Sequence, residues 1–412
     1  MMPVGSQGLD AEYALEGVRV VDFTWIHAGP SATRVLADQG AEVIKVESNT
    51  ALAMVGGPGS RTSRGLGSRH NWNAGKLSVS LNMKTPHGVD IASRLIAVSD
   101  VVAENFSARV MRGWGMDYQK LRSLRSDIIM LSMSGLGRTG PWKEYVSYGQ
   151  TLQAWSGLTH LTGFPDMDPC GPASAYSDAT AGIVGAQAVL LALIHRARTG
   201  QGQWIDLSQF EALSSIMGPL FLDLSASGQG HNIRRAGNRL IHQEGGPHGA
   251  YRCKGEDRWV AITVFTDNQW QAFCRVIGNP AWVREKRFAT LANRELHADE
   301  LEGLVETWTT GLSPEDVMQQ LQAVGIPAGV VQSGEDLASD TQLHERGFFQ
   351  RVPDALGEDQ VIEAAPYKLS LTPGHARRAG PDFGEHQDYV MREVLGMSDN
   401  ELAECAISGA FD

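Results

Sequence analysis

The chain has 412 residues, of which 42% are hydrophobic and 20% charged, and its formal net charge at pH 7 is −12. This length predicts two or three packed units with a sizeable core, and the composition excludes wholesale disorder and fibrous repeats. The acidic balance argues against a nucleic-acid backbone or an anionic membrane surface as the main partner.

The cysteines and the apolar stretches indicate the cellular compartment in which the protein is expected. Cys170, Cys253, Cys274 and Cys405 are far apart and form no C-x-x-C pair, which predicts neither a disulfide framework nor a zinc site. We therefore expect a reducing cytoplasm and no metal. The polar N-terminus lacks the apolar core of a secretion signal. The longest apolar stretch, residues 181–194, is shorter than a bilayer span and is predicted to be a buried helix, so no membrane partner is expected.

The N-terminal pattern predicts a βαβ unit. A β-branched run at 17–24 precedes Ala28-Gly29-Pro30, a helix that stops at Gly40, and a second strand at 41–47. Strand, helix and strand within about 30 residues indicate a parallel, doubly wound α/β sheet. The pattern continues with a helix near 87–98, a strand at 100–103, helical pieces at 107–124, a strand at 127–133, a helix at 181–198 and a strand at 203–207.

The remaining sequence indicates a second, smaller domain. The Gly- and Ser-rich stretch at 224–249 is typical of a linker. The strand-like WVAITV (259–264) is followed by amphipathic helices near 268–277, 299–310 and 314–323. The predicted organisation has four parts: a large Rossmann-like domain at 1–223, a linker at 224–248, a small α+β domain at 249–330, and a linker with a return to the large domain at 331–412.

Two segments suggest phosphate or nucleotide chemistry. Residues 48–89 contain no Asp or Glu, yet they carry Arg61, Arg64, Arg69, Lys76 and Lys84. A phosphorylated ligand or a solvated basic loop would each explain this charge, and the sequence leaves both open. The second segment, 135–140, matches G-x-G-x-x-G but comes late in the sheet and is followed by a proline. It is therefore predicted to be a turn, which disfavours a nicotinamide or flavin enzyme.

Asp178 stands just before the predicted helix at 181–198. Asp is a preferred N-cap residue, worth about 0.5–2 kcal/mol, so a cap is the simplest interpretation. The same position stabilises an ionised carboxylate, and the small neighbours leave room for a substrate. Such a carboxylate can be a nucleophile, although the residues alone favour the cap.

Several segments together resemble the family III CoA-transferases, the group that contains formyl-CoA:oxalate and carnitine CoA-transferases and also α-methylacyl-CoA racemases. They occur in the family's order along nearly the whole chain: GVRVVDFT at 17–24, AGPSATRVLADQGAEVIKVE at 28–47, NAGKLSVSLNMKTPHG at 73–88, VVAENF at 101–106, SGLGRTGP at 134–141, QAWSGL at 153–158, SDATAGIVGAQAVLLALIHRARTGQGQWIDLS at 177–208, and GEH at 384–386.

The resemblance implies a role for individual residues. Asp178 matches the catalytic aspartate, which attacks an acyl-CoA thioester to form an aspartyl mixed anhydride and then an aspartyl-CoA thioester. Gly245 and Gly246 match a glycine-rich loop that helps to cover the site, although with fewer consecutive glycines. Contacts with CoA are expected from His27, Ala28, Lys76, Asn105 and Phe106, and Arg69 of the basic segment is added for the phosphates.

The resemblance also implies an α/β fold in which two subunits form interlocked rings, as a homodimer or with a related subunit. CoA is expected as a substrate, with no tightly bound cofactor. The nearest branch is that of benzylsuccinate CoA-transferase, whose donor is succinyl-CoA. Two alternatives stay open: an acyl-CoA racemase and a noncatalytic subunit. Tyr148 stands where racemases have a histidine, which favours transfer, and it is expected to line the acyl pocket, with plain packing as the alternative.

Overall fold

The computed structural model describes residues 13–49, 70–227, 235–239 and 245–411. These residues fall into two compact units. The first comprises the described parts of 1–159, 171–231 and 343–412, and the second comprises those of 160–170 and 232–342.

A parallel sheet of six strands organises the first unit. Its strands are β1 (Arg19–Asp22), β2 (Glu42–Glu47), β3 (Leu77–Ser80), β4 (Val101–Glu104), β5 (Ile129–Ser134) and β6 (Trp204–Ser208). Their order in the sheet is β3-β2-β1-β4-β5-β6, which reverses direction between β1 and β4. The predicted doubly wound α/β class is confirmed, and ligands of such sheets bind where the order reverses.

Helices cover both faces of this sheet. Up to residue 227 the helices of the chain are α1 (Ala28–Asp38), α2 (Pro86–Ala97), α3 (Arg109–Gly113), α4 (Tyr118–Leu124), α5 (Gly149–Trp155), α6 (Leu158–Leu161, which ends in the second unit), α7 (Tyr176–Thr199), α8 (Gln209–Ser215) and α9 (Gly218–Ser227). Helices α1 and α7 share one apolar core with the sheet. Helices α2 and α4 share the core on the opposite face.

Helix α7 differs from its prediction at its start. It begins at Tyr176, and the N-cap position is Ala175, so the prediction that Asp178 caps the helix is wrong. Asp178 lies inside the first turn instead. The backbone N–H of Tyr176 donates to Oε1 of the buried Gln153 at 2.9 Å, which satisfies one of the free donors that a helix N-terminus leaves. This partner lies 23 residues away in sequence.

Helix α7 is also not buried all round. Gly182 contacts α1, where an added β-carbon would lie 2.8 Å from Cβ of Ser31. The other face leaves Ile183 67% and Leu191 59% exposed. With 24 residues the helix is long and apolar enough to cross a membrane by length and composition alone. The prediction of a short, buried helix is therefore corrected to one with a packed face and an exposed apolar face.

The second unit contains a three-stranded antiparallel sheet, β7 (His248–Arg252), β8 (Trp259–Thr263) and β9 (Ala328–Val330). Its helices are α10 (Asp267–Val276), α11 (Leu291–Leu296), α12 (Ala298–Thr309), α13 (Pro314–Gln322) and α14 (Gly334–Ala338), with 3₁₀ turns at Ala281–Arg284 and Lys286–Phe288. The unit extends to Gln342, beyond the predicted end at 330, because Arg258 binds Asp336 of α14 at 2.7 Å. The first four residues of the predicted linker at 224–248 are instead the end of α9, and the rest of it lies partly outside the described residues.

The tail packs in the first unit. Helix α15 (Thr341–Glu345) leads from the second unit into this tail. The tail then forms the hairpin β10 (Phe349–Pro353) and β11 (Asp359–Glu363), α16 (Gln387–Tyr389), a π-helical turn at Val390–Val394, and α17 (Asp399–Ile407). Strand β3 has no predicted counterpart, and the tail accounts for its polar residues. The N–H of Ser78 donates to Nδ1 of His386 at 3.2 Å, and the N–H of Gly384 donates to Oγ of Ser78 at 3.0 Å.

Candidate active site

The carboxyl ends of β1 and β4, where the strand order reverses, are joined by one side chain. The N–H of Trp25, after β1, donates to Oδ1 of Asn105 at 2.9 Å, and Nδ2 of Asn105 donates to the carbonyl of Trp25 at 3.0 Å. Phe106 packs against Trp25 with ring centroids 5.9 Å apart. The predicted CoA contacts Asn105 and Phe106 thus border the turn that connects β1 to α1.

That turn, residues 23–28, faces Asp178. His27 occupies the N-cap position of α1, and the buried Ala28 is its first residue. The backbone N–H of Ala28 donates to the Asp178 carboxylate. Because the N-terminal ends of α1 and α7 meet here, both helix dipoles favour negative charge on this carboxylate.

The second wall around Asp178 is formed by α5. A β-carbon built on Gly149 would lie 2.4 Å from Oδ2 of Asp178, so any larger residue there would have to displace this oxygen. Ser177 Oγ lies 3.4 Å from the same oxygen and 3.1 Å from the carbonyl of Gly149, both within reach of its single proton. The carboxylate is therefore held between two backbones and a hydroxyl.

The surroundings alter the protonation of this pair. Burial raises the pKa of Asp178, and the nearby His27 together with the hydrogen bonds from Ser177 and Ala28 opposes that rise. Burial lowers the pKa of His27, although Asp178 and Glu363 act in the opposite direction. At neutral pH the arrangement therefore places an ionisable, half-buried carboxylate beside a neutral imidazole.

An aromatic side chain supports His27. Its ring stacks on Trp72 with centroids 4.1 Å apart and an interplanar angle of 16°. Trp72 also lines a cavity of about 400 Å³ in the first unit, together with Asn71, Phe348, Phe349, Val361, Ile362 and Glu363. Neither Trp72 nor this cavity was predicted from the sequence.

Lys76, another predicted contact with CoA, is fully buried. Its Nζ lies 3.0 Å from each of three oxygens: Oδ2 of Asp22, the carbonyl of Pro30 and Oδ1 of Asn73. Burial lowers the pKa of Lys76 to about 8, while Asp22 opposes that shift. Burial acts to raise the pKa of Asp22, but Lys76 and Lys45 hold it below its ordinary value. The pair is thus ionised at neutral pH.

The remaining predicted site residues are Tyr148, Gly245, Gly246 and Arg69. Tyr148 is 53% exposed and precedes α5, next to Gly149. Gly245 and Gly246 lie in the second unit, where their N–H groups donate to Glu295 and Val264 at 2.9 Å. Arg69 lies outside the described residues. Across the described ranges, no group of three or more His, Cys, Asp or Glu side chains is arranged to hold a metal ion.

Comparisons with known proteins decide the family. A model of CoA-transferase family III matches residues 15–387. The chain belongs to that family. It is 31% identical over 403 residues to the succinyl-CoA–L-malate CoA-transferase beta subunit of Chloroflexus aurantiacus, covering 96% of this chain and 97% of the relative. It is 32% identical over 389 residues to the succinate–glutarate CoA-transferase of Agrobacterium fabrum, covering 92% and 95%.

The fold of the CoA-transferase agrees with a solved structure. A CAIB/BAIF family protein from Brucella suis superposes with a TM-score of 0.83 at 30% identity, covering 93% of this chain and 99% of that one. The predicted family and enzyme class are confirmed: the protein is an enzyme that transfers CoA from an acyl-CoA to a carboxylic acid. CoA thioesters are therefore its substrates.

Proposed function

We propose that Asp178 forms the covalent intermediates of transfer, first with the donor acyl group and then with CoA, and that a short-chain dicarboxylic acid is exchanged. The observation that carries the proposal is the setting of this carboxylate, which is half-buried, receives the Ala28 N–H and keeps its position only because residue 149 has no β-carbon. A partly desolvated carboxylate at a helix N-terminus stays ionised yet retains its nucleophilicity.

The proposed reaction proceeds in steps that account for every atom. A carboxylate oxygen of Asp178 attacks the thioester carbonyl, the C–S bond breaks, and CoA thiolate leaves from a mixed anhydride. The thiolate then attacks the aspartyl carbonyl and releases the donor acid. The acceptor carboxylate attacks this aspartyl thioester, and the returning thiolate takes the acceptor acyl group, regenerating Asp178. Water has to be kept away because it would hydrolyse both intermediates.

We propose succinyl-CoA as donor because the names of two relatives contain succinyl-CoA or succinate. Malate and glutarate in the same names, and benzylsuccinate from the sequence resemblance, are the acceptors to test first. His27, Ala28, Asn105, Phe106 and Arg69 are proposed to contact CoA. Tyr148 is proposed to line the acyl pocket, and Gly245 and Gly246 to cover it.

We propose that the active assembly contains two copies of the chain, or this chain and a related subunit, in a cytoplasmic enzyme. Exposed apolar side chains on α7 and α9 support an assembly: Leu191 is 59%, Phe221 55% and Leu222 68% exposed. Burial of such a surface stabilises protein association. The native mass of the purified chain, and of any chain purified with it, tests this proposal. A monomer with full activity would contradict it.

The function is tested by incubating succinyl-CoA with each acceptor acid and identifying new acyl-CoA products by mass spectrometry. Asp178→Asn keeps the side-chain volume and removes the nucleophile, so transfer should fall by at least roughly 10³-fold. Asp359→Asn, which alters an exposed aspartate of the same unit, is the control and should transfer CoA at the wild-type rate. Substantial transfer by Asp178→Asn would contradict the proposal.

Racemisation is the alternative function to test, because His27 lies close to Asp178. An acid and a base beside the acyl group are what α-proton exchange needs, and each of these two groups affects the pKa of the other. A chiral 2-methylacyl-CoA in deuterated water, without an acceptor acid, separates the two activities. We expect no enzyme-dependent exchange, and rapid exchange with inversion would favour a racemase.

A further inference from the structure

Lys76 has no donor left for a ligand. An ammonium group has three N–H donors, and three oxygens lie 3.0 Å from Nζ of Lys76. Its side chain and that of Asp22 are both 0% exposed. A phosphate could be bound only by breaking these bonds inside the protein.

The same pair holds both ends of the turn that faces Asp178. At the helix end, Lys76 binds the carbonyl of Pro30 in the first turn of α1. At the strand end, Oδ1 of Asp22 accepts the N–H of Thr24 at 2.8 Å. Nζ of Lys45 donates to the carbonyl of Thr24 at 2.6 Å. Two buried cations and one carboxylate therefore fix residues 24 and 30.

The turn needs such support. Ile26 has φ of 65°, a left-handed conformation that is costly for a β-branched residue and persists only where the surroundings impose it. Its side chain is 37% exposed, so its own packing contributes little. The next residues, His27 and Ala28, are those that face the Asp178 carboxylate.

We propose that Asp22 and Lys76 are positioning residues that hold the Ala28 N–H and His27 against Asp178, and that Lys76 does not bind CoA. This inference rests on the proposed role of Asp178 as nucleophile. Removing one member of a buried ion pair is strongly destabilising, whereas removing both charges together is often tolerated. The double substitution is therefore the informative variant.

The test compares Asp22→Asn/Lys76→Met with wild type and with Lys368→Met, which makes the same change at an exposed lysine of the first unit. We expect the double variant to fold, as judged by circular dichroism and cooperative melting. Acylation of Asp178 should slow by roughly 20-fold or more with both an acyl-CoA and a truncated acyl-pantetheine, since small misplacements are costly in catalysis. Any change in Kd should be similar for CoA and for the truncated pantetheine thioester, since Lys76 does not bind the phosphates that only CoA carries.

A more conservative double variant should restore part of the acylation rate. Asp22→Asn/Lys76→Gln retains an amide donor near the carbonyl of Pro30, so its acylation rate should lie between those of the Met variant and wild type. Two kinetic results would overturn the proposal. One is a Kd for CoA raised tenfold or more with unchanged acylation by acyl-pantetheine, which would make Lys76 a phosphate ligand. The other is a wild-type acylation rate in the folded Met variant.

A measurement independent of activity separates this proposal from the role of Asp178. Amide hydrogen exchange in a peptide covering residues 24–31 should be faster in the Met variant than in wild type and in Lys368→Met. Unchanged exchange would overturn the positioning role even if no acyl group reached Asp178. If wild type itself formed no adduct, the proposed function would fail, while faster exchange would still support the structural part of the inference.

Discussion

A β-carbon added to Gly149 would lie 2.4 Å from Oδ2 of Asp178. Gly149→Ala should therefore displace the carboxylate and lower the transfer rate by roughly 10²-fold, since a shift of about 1 Å has that effect on aligned reactants. The fold should survive, because only a side-chain oxygen occupies the clashing position. Steady-state kinetics and thermal melting check both statements.

Gly303→Ala is the matched control for Gly149→Ala. Gly303 lies within α12 and has nothing within 4 Å of an added β-carbon. Alanine there should stabilise the protein by about 0.5–1 kcal/mol and leave transfer unchanged. Equal rates for the two variants would show that Gly149 does not limit the space around Asp178.

The ionised carboxylate of Asp178 should destabilise the folded protein at neutral pH. Because burial raises the pKa of Asp178, its folded state favours the protonated form, and stability falls as the pH rises from the ordinary value through the raised one. Asp178→Asn removes this cost, so at pH 7 its Tm should exceed that of wild type by roughly 1–3 °C. The difference should shrink on acidification. A lower Tm at pH 7 would contradict the sign of the shift.

The acylation rate should depend on the same ionisation. Only the carboxylate attacks the thioester, so single-turnover acylation should fall on acidification with a midpoint above 3.8, the ordinary value for aspartate. His27→Gln should change the acylation rate at pH 8 by less than about threefold. Burial lowers the pKa of His27, so its ring is uncharged at this pH and the substitution removes no charge. An acylation rate that does not fall until the pH reaches the ordinary pKa of aspartate would contradict the account.

Substitution of Arg69 should weaken the binding of ligands that carry phosphates more than that of ligands that lack them. Arg69→Gln should weaken binding of CoA more than binding of a truncated pantetheine thioester, because only CoA carries the phosphates that a guanidinium recognises. Competition binding with the two ligands measures the ratio. Equal losses for both would assign the basic segment to a solvated surface.

The sheet was predictable because its signals are local. The β-branched runs predicted β1 and β2 to within about two residues, and Gly40 indicated the end of α1, whose first turn contains Pro30. Strand β3 was missed because its serines are buried against the tail, more than 300 residues away. No local pattern records such a partner.

The site was predictable only where the family resemblance supplied it. Lys76 belongs to the basic segment at 48–89, for which a phosphorylated ligand was one explanation, whereas its buried partner Asp22 is 54 residues away. Gly149 carries no signal, because its requirement comes from a carboxylate on another helix. Gln153 lies inside the matched QAWSGL segment, yet its bond to the start of α7 depends on the fold.

The central claim is that Asp178 becomes acylated. Incubating the protein with an acyl-CoA, quenching with hydroxylamine and mapping peptides by mass spectrometry tests it directly. The account predicts a hydroxamate on the peptide that contains Asp178, formed by wild type and Asp359→Asn and absent from Asp178→Asn. A hydroxamate on another residue, or transfer at full rate with no trapped intermediate, would contradict it.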